Sequence, residues 1–100
     1  MNYILNAAGD PVAEPDVLAW ALWFSSADRT IGRAELANDV TVSTVFLGVD
    51  HNFGSGPPLV FETMIFGGPL DETQYRYATR AQALAGHEAA IKEAMAASND

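Results

Sequence analysis

Apolar and polar residues change their period several times along the chain. Tyr3-Ile4-Leu5 and Pro11-Val12-Ala13 flank the turn-forming run Asn6-Ala7-Ala8-Gly9-Asp10, which predicts a short β-hairpin with the proline on its edge. Val17, Trp20, Ala21 and Phe24 then recur at i, i+3, i+4 and i+7, the spacing of one helix face. Asp16 stands just before them, with a carboxylate able to accept from the free amides of a first helical turn. Trp23 widens this apolar face, and Leu18 and Leu22 fall on the opposite side. A helix apolar all round asks for two partners, either two layers of its own fold or another subunit.

From Thr30 the period shortens to that of strands. Ile31 to Leu36 and Val40 to Gly48 are joined by Ala37-Asn38-Asp39, and the second run is rich in β-branched residues. They predict a hairpin. Leu59 to Phe66 follows as a third strand, reached through Gly54-Ser55-Gly56-Pro57-Pro58. Thr73 to Tyr77 is a short fourth, reached through Gly67-Gly68-Pro69-Leu70-Asp71. In the third strand Leu59, Phe61 and Ile65 point one way and Val60, Met64 and Phe66 the other, with Glu62 among them, so both sheet faces read as apolar and covered. Thr79-Arg80-Ala81-Gln82 fits a capping box and opens a last helix, in which Leu84, His87, Ile91 and Met95 recur at helical spacing and Ala96 to Asp100 is expected to fray. The expected architecture is a single α+β domain over residues 1–100: an N-terminal β-hairpin, a helix, a four-stranded antiparallel meander and a C-terminal helix.

Composition narrows the function classes. Five Lys+Arg stand against thirteen Asp+Glu, a formal net charge of -8, which removes the electrostatic footprint for a phosphate backbone or an anionic membrane. Direct nucleic-acid binding and membrane association are not expected. The acids are scattered along the chain, with only Asp71-Glu72 adjacent, so the charge reads chiefly as solvation rather than as a mimic of a phosphate array. No cysteine is present, which excludes disulfides and thiolate chemistry and fits a reducing cytoplasm. The longest apolar run, Val17 to Phe24, is too short to cross a bilayer, and the N-terminus lacks the basic start of a signal peptide.

The candidate polar chemistry is sparse. His51, in Asp50-His51-Asn52, and His87 are the two histidines, and with Asp50 and Glu62 they offer imidazole and carboxylate groups for metal binding or acid/base work. Their spacing matches no metal-ligand pattern, so no metal and no cofactor is expected. A competing structural reading has Asp50 and Asn52 organise a turn, His87 bond a backbone carbonyl or Glu62, and Glu62, if buried, find Arg76, His87, a hydroxyl or water as its partner. The 54–58 loop lacks the Lys-Ser/Thr of a phosphate loop and leads into a strand. Ser43 and Thr44 lack a nucleophile elbow, and Thr41, Ser43 and Thr63 read as ordinary strand hydroxyls.

The segment Val42-Ser43-Thr44-Val45-Phe46-Leu47-Gly48, then Asp50-His51, then Gly56-Pro57-Pro58-Leu59-Val60-Phe61-Glu62-Thr63-Met64-Ile65-Phe66-Gly67-Gly68, resembles a family of small uncharacterised bacteriophage, prophage and bacterial proteins. The resemblance extends more loosely to Trp20 and Trp23, Arg76-Tyr77 and Gly86-His87. It implies a setting rather than an activity: an accessory protein inside a bacterial host. The expected function is non-enzymatic protein–protein binding, with a homodimer and a host protein as the partners. Trp20, Trp23 and Phe24, or else the open sheet face, form the expected interaction surface. The alternative is a small metal-binding or acid/base enzyme built on Asp50, His51, Glu62 and His87.

Overall fold

The computed structural model describes residues 1–98. Strands β1 (Tyr3–Leu5) and β2 (Pro11–Ala13) form the hairpin, and α1 covers Val17–Ser26. Strands β3 (Thr30–Leu36), β4 (Val40–Phe46), β5 (Phe61–Phe66) and β6 (Gln74–Tyr77) make one antiparallel sheet in the order β3-β4-β5-β6, and α2 (Arg80–Ser98) closes the fold. This is the α+β meander the periodicity predicts. Among the described residues no helix is long and apolar enough to cross a membrane.

Local chemistry sets the element ends. Asp16 Oδ1 accepts from the amides of Leu18 and Ala19 at 3.0 and 3.2 Å, which starts α1. At α2 the capping box is complete: Thr79 Oγ1 accepts from Gln82 N at 3.1 Å, and Gln82 Oε1 accepts from Thr79 N at 3.2 Å. The β3–β4 connection is a tight three-residue turn, Ala37–Asp39, in which Asn38 and Asp39 take left-handed φ values of 62° and 60°. Asn and Asp tolerate that region better than bulkier residues. Helix α2 is continuous through Ser98, so Ala96 to Ser98 are helical rather than frayed; Asn99 and Asp100 lie outside the described residues.

Helix α2 lies across one face of the sheet and buries Ala83, His87, Ala90 and Ala94. This corrects the expected stripe of Leu84, His87, Ile91 and Met95, since Leu84 and Met95 are about half exposed. Alanine lets a helix sit close to a sheet, and the larger side chains are displaced to its flanks. The facing strand residues are Val40, Val42, Thr44 and Phe46 of β4 and Phe61, Thr63 and Ile65 of β5, all buried. Two apolar clusters result: Val40, Val42, Ile65, Ala90 and Ala94 at one end, and Phe46, Val60, Phe61 and Ala83 at the other, where Tyr3, Leu5 and Trp23 complete it.

Two further expectations change. Val60 turns into the same core as Phe61, because it precedes the regular β5 ladder and bonds Leu47 N through its carbonyl and Tyr77 O through its amide. The second sheet face is not uniformly apolar, and among the described residues neither helix lies across it. Val45, Met64 and Phe66 share it with Thr41, Ser43 and the pairs Arg33–Glu35 and Glu62–Arg76.

Candidate functional site

Between the two apolar clusters the helix face of the sheet carries polar groups. Thr44 on β4 and Thr63 on β5 are cross-strand partners, and their hydroxyl oxygens lie 2.5 Å apart. His87, reaching down from α2, brings Nδ1 to 2.7 Å from Thr44 Oγ1. Tyr77 on β6 donates its phenolic proton to Thr63 Oγ1 at 3.1 Å. With Tyr77 donating, the consistent direction runs from Tyr77 to Thr63, to Thr44, to Nδ1 of the imidazole, so the ring is assigned as the Nε2–H tautomer.

Two glycines make room for this chain. A Cβ on Gly32 would lie 2.7 Å from His87 Nε2, and a Cβ on Gly86 would fall inside the Tyr77 phenol. The arrangement joins three strands to α2 at the centre of the domain. Thr44 and Thr63 are fully buried, so neither hydroxyl is open to a substrate. Its chemistry is that of a fully satisfied internal network, and no buried side-chain polar atom among the described residues lacks a partner.

The four residues singled out by sequence are divided among separate places. Glu62 lies on the opposite sheet face from His87, because β5 turns Phe61, Thr63 and Ile65 toward the helix and the residues between them away. Its carboxylate accepts from Arg76 Nε at 3.0 Å, across a direct register pair. Asp50 and His51 belong to the loop before β5. Asp50 Oδ1 accepts from Asn52 N at 2.7 Å and from Leu59 N at 2.9 Å, and these two backbone donors hold its carboxyl below the usual carboxylate range. Asn52 then bonds Gly54 N and the carbonyls of Ser55 and Pro57. His51 Nδ1 donates to Val49 O at 3.3 Å. Among the described residues no three His, Asp or Glu side chains gather as a metal site would require.

The partner of His87 is thus a strand hydroxyl, neither a backbone carbonyl nor Glu62. Thr44 and Thr63, read from sequence as strand hydroxyls without a role, and Tyr77 are the residues the sequence reading left out of the site. Residue parity could have found the two threonines, because Thr44 and Thr63 alternate in step with Val42, Phe46, Phe61 and Ile65.

The aromatic side of α1 is likewise engaged within the chain. Trp20 Nε1 donates to Tyr3 O and Gly48 O at 3.1 and 3.0 Å, Trp23 meets Phe46 edge-on, and Arg29 covers the Phe24 ring at 3.9 Å. Trp20, Trp23 and Phe24 therefore do not form the outward surface of α1. Its solvent face consists of Val17, Leu18, Ala21 and Leu22, with Val17, Leu18 and Leu22 at 67%, 68% and 64% exposure. No family model, curated protein or solved structure matches the chain.

Proposed function

We propose that the chain is a non-enzymatic accessory protein that works by protein–protein binding, and that its first partner is a second copy of itself docked on the outer face of α1. The observation that carries this reading is the exposure of Val17, Leu18 and Leu22 on a helix without one charged residue from Val17 to Ser26. Elsewhere the surface bears a net charge of -8, so two copies repel each other least where the contact contains no acid. Leu18 and Leu22 form an i, i+4 ridge, the element that interdigitates when two helices cross. The open sheet face is the weaker choice, because its apolar residues are interleaved with two ion pairs. A phage or prophage setting in the bacterial cytoplasm, with a host protein as a further partner, follows from the resemblance of the Val42–Gly68 segment.

Sedimentation equilibrium tests the reading directly. A twofold dimer at tens of micromolar that becomes a folded monomer in Leu18→Glu/Leu22→Glu is the expected result. A wild-type monomer at that concentration, or a dimer indifferent to the double substitution, overturns it.

A further inference from the structure

Strand β6 is an edge of the sheet, and α2 runs beside it. Between them lies a groove of about 270 Å³, lined by Tyr75 and Tyr77 from the strand and by Gly86, Ala89, Ala90 and Glu93 from the helix. Residues 75 and 77 share one face of β6, while positions 86, 89, 90 and 93 share one face of α2, so all six meet in one cleft. Gly86 and the two alanines keep the floor low. The aromatic rings supply the walls, and the one charged group is the Glu93 carboxylate.

That carboxylate is held in position and is not neutralised. Tyr75 donates its phenolic proton to Glu93 Oε1 at 2.6 Å, while Oε2 makes no hydrogen bond among the described residues. The interaction raises the pKa of the Tyr75 phenol, with the carboxylate hydrogen bond as the largest cause, as expected for a phenol beside an anion. The chain's own cations are directed elsewhere: Arg33 to Glu35, Arg76 to Glu62, Arg29 to Phe24 and Arg80 to the Gly9 carbonyl. Among the described residues none of them, nor Lys92, is in salt-bridge range of Glu93.

We infer that the β6–α2 groove is a binding site for an organic cation of the guanidinium or alkylammonium class, with the tyrosine rings against its face and Glu93 Oε2 as its counter-ion. The negative faces of aromatic rings attract a cation, and a planar guanidinium pairs with a carboxylate while stacking on a ring. The overall charge of -8 draws a cation in and keeps an anion out. A free amine or guanidine and the arginine or lysine side chain of a partner protein present the same chemistry to this groove. The site is independent of the α1 surface, so its failure leaves the dimer reading untouched.

Amide chemical shifts of the ¹⁵N-labelled full chain, titrated with N-acetyl-arginine amide, test the assignment. The neutral isostere N-acetyl-citrulline amide serves as control, and Glu93→Gln as the variant. Saturable shifts confined to residues around 75–77 and 86–93 are expected, at least about tenfold weaker with citrulline and in Glu93→Gln. Glu93 is exposed on α2, so the variant keeps the dispersed spectrum that reports an intact fold. Methylguanidinium and an arginine-containing peptide distinguish the two sources. Equal affinity for both means that the side-chain head alone is recognised, and tighter peptide binding means that the cation arrives on a protein. No saturable shift up to about 10 mM, or equal shifts with citrulline, overturns the proposal.

Discussion

His87 Nδ1 and Thr44 Oγ1 lie 2.7 Å apart in the centre of the domain, with α2 on one side of the bond and β4 on the other. It is a buried polar link between α2 and the sheet, set between the two apolar clusters to which the helix contributes its buried alanines. Replacing Thr44 by valine keeps the shape and removes the hydroxyl, leaving His87 Nδ1 and the Thr63 hydroxyl each short of a partner. Urea denaturation of Thr44→Val is expected to show a loss of about 1–3 kcal/mol, the cost of unsatisfied buried polar groups. A change within about 0.5 kcal/mol would indicate that water replaces the hydroxyl.

Gly86→Ala separates helix propensity from packing by sign. In a helix interior the change ordinarily stabilises by about 0.5–1 kcal/mol. Here the new Cβ meets the Tyr77 ring, whose hydroxyl is bonded to Thr63, so the ring cannot withdraw without breaking that bond. The variant is expected to melt at a lower temperature than the parent, and a rise in Tm would refute this packing. Gly32→Ala, aimed at the His87 imidazole, is expected to act in the same direction.

The Glu62–Arg76 pair is expected to matter little. Its geometry is good at 3.0 Å, but the Arg76 side chain is 38% exposed, and solvent weakens the attraction. Glu62→Gln should change stability by no more than about 1 kcal/mol, with the difference shrinking as salt is added. A loss of several kcal/mol in equilibrium unfolding would mean that Glu62 carries more than this pair.

Acid should act partly through Asp50. Its folded-state carboxyl titrates below the ordinary value of 3.8, first because Asn52 N and next because Leu59 N donate to the charged form. A depressed carboxylate contributes stability above the unfolded pKa, and that contribution is lost as pH falls through the folded value. The gap between wild type and Asp50→Asn is therefore expected to be full at pH 7 and to close progressively below about pH 4. Parallel unfolding curves at pH 7 and pH 3 give the comparison, and a gap that stays constant contradicts it.

Much of the architecture is local and was legible without coordinates. The 3–5 and 11–13 hairpin, the Asp16 cap, the Thr79/Gln82 capping box and the meander order each depend on residues near one another in sequence, where period, turn chemistry and caps act directly. That Glu62 needs a partner was legible as well, but the choice among Arg76, His87, a hydroxyl and water was made by the β5–β6 register, which sets Arg76 directly across from it. What parity along a strand or helix leaves open is which face another element will cover. Only the tertiary structure decided that Ala83, Ala90 and Ala94, rather than Leu84 and Met95, meet the sheet, since close approach favours small residues over hydrophobic ones. The same choice turned Thr44 and Thr63 inward to receive His87 and left Glu62 on the opposite face. It also closed Trp20 and Trp23 against the hairpin and Phe46, leaving Leu18 and Leu22 in solvent. A short helix apolar on every side has no pattern of its own to choose the inward face, and the contacts made by residues distant in sequence choose it.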